Sequence, residues 1–287
     1  MSCIDSLARI RVVLVRPSHP GNIGATARAM QTMGLSKLVL VDPQRFPDPE
    51  AMAMAANATA VLDDATVCTV LDDALRGTVL QVAFSARSRA LSHTPLTPRE
   101  GAAALLDVLE ATRATADVEI PDVALVFGNE TYGLSNEEVM RCNRLVSIPT
   151  DPDSSSLNLA ASVQVACYEL RMAALERDVT PGAAKSRPTA VEAIELARHE
   201  DVERFLVHLE ASLYKSGFLQ PGNPRRLLER MRRLFSRAGL QVEEVNILRG
   251  MLTLWDEPMP PAKAVEQAAK STSQSTPKRI VDKSTRK

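Results

Sequence analysis

Short apolar runs alternate with longer amphipathic ones through the first half of the chain. Ile10–Val15 (IRVVLV), Lys37–Val41 (KLVLV), Val79–Phe84 (VLQVAF), Val123–Phe127 (VALVF) and Leu145–Ile148 (LVSI) are short, β-branched and bounded by turn residues, which predicts buried strands. Thr66–Val70 is a sixth, less apolar candidate. Between them the helical period predicts helices over Ile23–Met33 (closed by Gly34), Pro98–Thr112, Ser135–Cys142 and the long stretch Leu157–Leu175. Such alternation predicts an α/β fold, a parallel sheet flanked by helices. Ligands of these sheets bind beyond the carboxyl ends of the strands, so the loops there are where chemistry is expected.

The pattern then changes. Between Glu176 and Ala190, Pro181, Gly182, Ser186 and Pro188 interrupt any period and predict a linker. Beyond it the signal is purely helical: Asp201–Ser216 ending at Gly217, a helix capped by Asn223 and opened by Pro224, and a third over roughly Val242–Trp255. In the middle helix Leu227, Leu228, Met231, Leu234, Phe235 and Ala238 share one face, and Arg225, Arg226, Arg230, Arg232, Arg233 and Arg237 the other. The expected organisation is an α/β domain over residues 1–176, a linker over 177–200, a small all-α C-terminal domain over 201–257 and a tail over 258–287. That tail has too little apolar content to fold.

Composition narrows the class. A hydrophobic fraction of 45 % and a charged fraction of 24 % over 287 residues suit a large buried core. No apolar run reaches the roughly 18 residues of a membrane span, and the start, MSCIDSLARIRVVLV, lacks a secretory pattern. A cytoplasmic protein without a membrane partner is expected. Cys3, Cys68, Cys142 and Cys167 are widely spaced, which favours reduced thiols over a zinc site, and no metal is expected. An aromatic content of only 3 % argues against modules built on aromatic platforms. The net charge of −1 conceals a gradient. Residues 261–287 hold seven basic and two acidic side chains, a balance of +5 that leaves −6 for the remainder. Six arginines between Arg225 and Arg237 are opposed only by Glu229, and such a local basic surface points to a polyanionic partner.

Three loops at expected strand ends concentrate polar and small residues. Arg16–Asn22 (RPSHPGN) leads into IGATARAM, whose small residues let a helix lie close to the sheet and whose N-terminus suits an anion. Arg28, further inside that helix, fits a solvated face as well as a ligand. Gly128–Ser135 (GNETYGLS) combines two permissive glycines with Glu130. Pro149–Asn158 (PTDPDSSSLN) offers three serines and Asn158, a dense array of small donors and acceptors, although each single serine also reads as a helix cap.

In order and spacing, NIGATARAM, FGNETYGLS and IPTDPDSSSLNLAASVQVACYE resemble the three signature motifs of the SpoU/TrmH branch of the SPOUT RNA ribose methyltransferases. The resemblance runs over about residues 10–175. SARSR (Ser85–Arg89), SSLNLA, the HLE…SGF region, RRLFSRA and NILRG are similar to a bacterial subgroup that methylates the 2′-oxygen of cytidine or uridine at position 32 of the tRNA anticodon loop. The resemblance implies a SPOUT fold with a C-terminal trefoil knot, a homodimer, and S-adenosyl-L-methionine as cofactor. It places Phe84, Ser85, Ala86, Gly128, Ile148, Ser155, Ser156 and Leu157 at the cofactor, and Asn22, Glu130 and Asn158 at positions that order the site for the substrate. Arg28 matches the arginine of the first motif, and Arg28 with Ser156 forms the expected catalytic pair. A guanidinium donates protons rather than accepting them, so Arg28 is expected to grip a phosphate and polarise the 2′-hydroxyl, with Ser156 assisting. The leaving group is a neutral thioether, and the reaction calls for alignment and proton relay rather than a metal. Arg225, Arg226, Arg232 and Arg233 are then expected to hold tRNA phosphates.

Three other readings compete. Gly21, Gly24 and Asp42 form a partial dinucleotide fingerprint, which suggests an oxidoreductase, although His19 stands where the first glycine belongs. Methylation of a different tRNA or rRNA nucleotide, or a non-catalytic RNA-binding relative, also fits the basic surface; retention of Arg28, Glu130, Ser156 and Asn158 argues against lost activity.

Overall fold

A computed structural model describes residues 2–87, 94–113, 121–179, 195–220 and 226–257. Six strands, β1 (Ile10–Val15), β2 (Lys37–Val41), β3 (Thr66–Cys68), β4 (Thr78–Phe84), β5 (Asp122–Phe127) and β6 (Arg144–Val146), form one parallel sheet in the order β3-β2-β1-β5-β4-β6. Helices α1 (Pro20–Met33), α5 (Pro98–Arg113) and α7 (Leu159–Val179) supply side chains to the core on one face, with Ile10, Val12 and Leu14 of β1. On the other face Val13 and Val15 meet the short helices α4 (Leu71–Leu75) and α6 (Asn136–Met140). A strand buried on both sides cannot alternate apolar and polar residues, which is why IRVVLV reads as a continuous run.

The expected parallel α/β architecture is present, with shifted boundaries. Helix α1 begins at Pro20, three residues before Ile23, because His19 is extended and Pro20 supplies a preset first turn; Gly34 ends it in a left-handed conformation (φ 87°). Strand β6 is shorter than Leu145–Ile148, which leaves Ile148 in the loop beyond it, and β3 stops at Cys68. Helix α7 begins at Leu159 and continues to Val179, past the expected domain end at residue 176 and into the expected linker. The short helices α2 (Pro49–Ala55), α3 (Thr59–Asp63) and α4 went unpredicted, since five to seven residues are too few to establish a helical period. Gly24 makes its close approach to α2 rather than to the sheet: a Cβ there would overlap the Ala51 carbonyl.

Strand β6 is hydrogen-bonded on both sides. It pairs with β4 through Ala83 and Leu145, and Ser85 donates its N–H to Val146. On the opposite edge Leu96 donates to the Leu145 carbonyl and accepts from the Ser147 N–H. The chain that leaves β4 at Ser85 therefore returns, at Leu96, on the far side of β6.

Three C-terminal helices, α8 (His199–Lys215), α9 (Leu227–Ala238) and α10 (Val242–Asp256), enclose a separate core around Phe205, Leu209, Leu213, Val245 and Leu252. Phe205 and Phe235 meet edge to face at 4.8 Å. These helices dock on the sheet region. His199 Nε2 lies 3.2 Å from Asp72 Oδ1, the Gly77 N–H donates to Glu200 at 2.9 Å, and Asn143 Nδ2 donates to the Ser236 carbonyl at 3.1 Å. Arg141 donates to both Asp72 and Glu203.

Docking alters the expected faces of α9. Leu227, Leu228, Met231 and Phe235 pack on the core, but Leu234 is 46 % exposed and Ala238 is also exposed, while Ser236 is buried. Arg232 lies against Glu203 in a bidentate ion pair and Arg233 buries its Nε, so neither stands on a freely solvated face. Arg226, Arg230 and Arg237 are exposed. The expected start at Asn223 and Pro224, Arg225, most of the linker and the tail lie outside the described residues.

Candidate functional site

The ends of β4, β5 and β6 open onto one cleft of about 780 Å³, part of it continuous with solvent. All eight residues expected at the cofactor line it: Phe84, Ser85 and Ala86 after β4, Gly128 after β5, and Ile148, Ser155, Ser156 and Leu157 after β6. Phe84 and Phe127 stack at a centroid distance of 4.5 Å and give it an apolar wall. Arg87, Asn129, Thr131, Gly133, Thr150, Leu159 and Ser162 also line it and were not singled out from sequence, because each is ordinary by type and acquires a role only by position.

A hydrogen-bond chain ties the three loops together. Glu130 Oε2 accepts from the Ser18 N–H at 2.9 Å and from Ser18 Oγ at 2.7 Å. Its Oε1 accepts from the His19 N–H at 3.2 Å and from Asn22 Nδ2 at 2.9 Å. Asn158 Nδ2 then donates to Asn22 Oδ1 at 2.9 Å. Burial pushes the Glu130 carboxyl up, but the donors from Asn22 and Ser18 outweigh it and hold the group down at about 2. The anion expected at the start of α1 is therefore the protein's own Glu130. With that position filled and β5 rather than β4 beside β1, the dinucleotide reading loses its pyrophosphate site.

The second loop is anchored at both ends through Arg16, which takes a left-handed conformation (φ 49°) just after β1. Its carbonyl accepts from Asn129 Nδ2 at 2.8 Å, and its guanidinium pairs with Glu138 at 2.5 Å. Glu138 and Ser135 form a reciprocal capping box at the start of α6. Gly128 is required for closure: a Cβ there would run into the backbone of Gly133 and Leu134. In the third loop the cap of α7 is Asn158, whose Oδ1 accepts from the Ala160 and Ala161 N–H groups, so the serines are released from capping.

The site residues fall into three groups. The eight residues expected at the cofactor and Glu130 share the cleft, and Asn22 and Asn158 brace it. Arg28 does not line it; it is exposed on α1, and its guanidinium has no partner among the described residues. The arginines of α9 are on the C-terminal helices, of which Arg232 is committed to Glu203. Ser18 was missed because a lone serine in a proline-rich turn carries no signal until Glu130 is placed beside it. Among the described residues no cluster of His, Cys, Asp and Glu suits a metal, and no helix is long and apolar enough to cross a membrane.

Comparison with known proteins agrees with this geometry. Residues 9–168 match the model of the SpoU rRNA Methylase family, and residues 200–269 match that of the tRNA methyltransferase TrmJ, C-terminal domain. The chain is 48 % identical to a tRNA (cytidine/uridine/adenosine-2′-O-)-methyltransferase TrmJ of Pseudomonas aeruginosa, over 86 % of this chain and 93 % of that one. It is 44 % identical to a tRNA (cytidine/uridine-2′-O-)-methyltransferase TrmJ of Yersinia pestis, over 86 % and 91 %. Among solved structures it resembles TrmJ from Z. mobilis ZM4 with a TM-score of 0.70 at 28 % identity, covering 86 % of this chain and 99 % of that one. Three signature loops tied together by hydrogen bonds beside one cleft, and a sequence match spanning both the sheet and the C-terminal helices, place the chain in the SpoU rRNA methylase family, in its TrmJ branch.

Proposed function

We propose that the protein transfers a methyl group from S-adenosyl-L-methionine to the ribose 2′-hydroxyl of nucleotide 32 in the tRNA anticodon loop. One observation carries this reading: the second and third motif loops, with the loop after β4, line a single cleft, and the first motif loop is locked to both through Asn22, which bridges Glu130 and Asn158. The cleft suits the cofactor, with the Phe84–Phe127 wall, Ile148 and Leu157 for its apolar parts and loop backbone and serines for its polar edges. Bound S-adenosyl-L-methionine supplies an electrophilic methyl on a sulfonium. Ser155 and Ser156, exposed at the rim, face incoming substrate. The threading of β6 between β4 and Leu96 supports a trefoil knot around this cleft.

Arg28 donates to the phosphate beside the target and polarises the 2′-hydroxyl, and Ser156 assists proton relay. Because Arg28 is outside its own chain's cleft, the reading includes a homodimer in which a second copy presents Arg28. The exposed Arg226 just before α9, and Arg230 and Arg237 on it, then meet tRNA phosphates. The relatives' names cover cytidine, uridine and, for the Pseudomonas protein, adenosine, so base identity at the target is a property to be measured for each. The test is transfer of labelled methyl to tRNA followed by mapping of the methylated ribose. Wild-type protein that leaves nucleotide 32 unmodified, or that sediments only as a monomer, overturns the corresponding part.

A further inference from the structure

The three loops that border the cleft, after β4, β5 and β6, contain a single Phe, Tyr or Trp, Tyr132, and it is 73 % exposed. An exposed ring normally loses entropy when it is recruited to a ligand, but the backbone beneath this one is already fixed. Asn129 Oδ1 accepts from the Thr131 N–H at 2.8 Å and from the Tyr132 N–H at 3.2 Å. The Gly133 N–H closes the turn on the Asn129 carbonyl at 2.8 Å, with Gly133 left-handed at φ 65°. Arg16 holds one end of the loop through its carbonyl and the other through Glu138. Residues on both sides of Tyr132, Thr131 and Gly133, line the cleft, whereas Tyr132 does not. The ring thus stands on a braced turn beside the cleft, with most of it left uncovered by the described residues.

We infer that Tyr132 is a positioning residue that stacks on an unstacked nucleobase of the RNA presented to this cleft. Such stacking is indifferent to base identity, since every base has a π-face, and preorganisation of the turn lowers its cost. One ring is not an aromatic platform; it fixes one base while phosphate contacts hold the remainder. The inference rests on the methyltransfer reading for its RNA.

The experiment compares wild type, Tyr132→Ala and Tyr132→Phe in steady-state methyl transfer to an unmodified tRNA transcript, and in direct binding of the same fluorescently labelled transcript. Tyr132→Ala is expected to raise KM and the RNA Kd by roughly 5- to 150-fold with little change in kcat or in S-adenosyl-L-methionine affinity. Tyr132→Phe, which keeps the ring, is expected to restore both. Unchanged KM and Kd in the alanine variant, or a phenylalanine variant as impaired as alanine, overturns the inference. So does an altered sedimentation coefficient at unchanged RNA affinity, which would assign the ring to a contact between copies. Wild-type protein that binds the transcript without methylating it refutes the reaction while leaving the stacking comparison intact. Wild type that binds no RNA overturns both.

Discussion

Glu130→Gln tests the brace of the site with a defined pH signature. The carboxylate accepts four hydrogen bonds, two on each oxygen. Glutamine keeps one acceptor oxygen and presents an NH2 group to the other pair of donors. The Ser18 hydroxyl can turn to accept, but its backbone N–H then faces a donor, a loss of about 1–3 kcal/mol. The charge adds a second contribution. Depression from the ordinary 4.5 to about 2 corresponds to about 3 kcal/mol by linkage, reduced to about 1–2 kcal/mol because the group is part-exposed and screened. The folded state holds this carboxyl below its unfolded value, so the stabilisation is complete above about pH 4.5 and fades as pH falls toward about 2. Denaturant unfolding of wild type and Glu130→Gln between pH 7 and pH 3 measures it. The wild type is expected to be more stable at pH 7, with about half of the charge contribution lost by pH 3. A stability gap that stays constant over this range refutes the assignment of Glu130 as a charged brace.

Arg28→Ala is expected to bind S-adenosyl-L-methionine normally in calorimetry while methyl transfer falls by at least about 100-fold; near-wild-type turnover removes Arg28 from the reaction. Gly128→Ala forces a Cβ into the backbone of Gly133 and Leu134, so cofactor affinity and thermal stability should both fall, and an unchanged melting temperature would contradict that packing. Joint replacement of Arg230 and Arg237 by alanine should weaken tRNA binding and flatten its salt dependence by roughly one to two units of slope. Arg232→Ala, by contrast, frees Glu203 and should chiefly loosen the C-terminal helices, read as faster proteolysis of α9. Equal salt slopes in all three proteins would discard this division of labour.

Much of the fold was legible because buried parallel strands announce themselves. IRVVLV, KLVLV and VALVF have no polar face, and a run of that length admits few other structures. That the eight residues named for the cofactor share one cleft was also readable, since they come from three loops that each follow a strand, β4, β5 and β6. Boundaries and partners were not. Helix α1 starts early because Pro20 follows an extended His19, and the turn before it is held by Glu130, over a hundred residues away, a contact that no local pattern encodes. Asn158 rather than a serine caps α7 for a related reason, since its amide bridges to Asn22 as its oxygen takes the helix N–H groups.

The arginine helix shows the same division. Its amphipathic period is local and was readable, yet which arginines meet solvent depended on Glu203 of another helix claiming Arg232. Periodicity fixes which residues share a face of one element, because that follows from backbone geometry alone. What each face meets is decided by contacts distant in the chain, and a pattern of nearby residues carries no record of them.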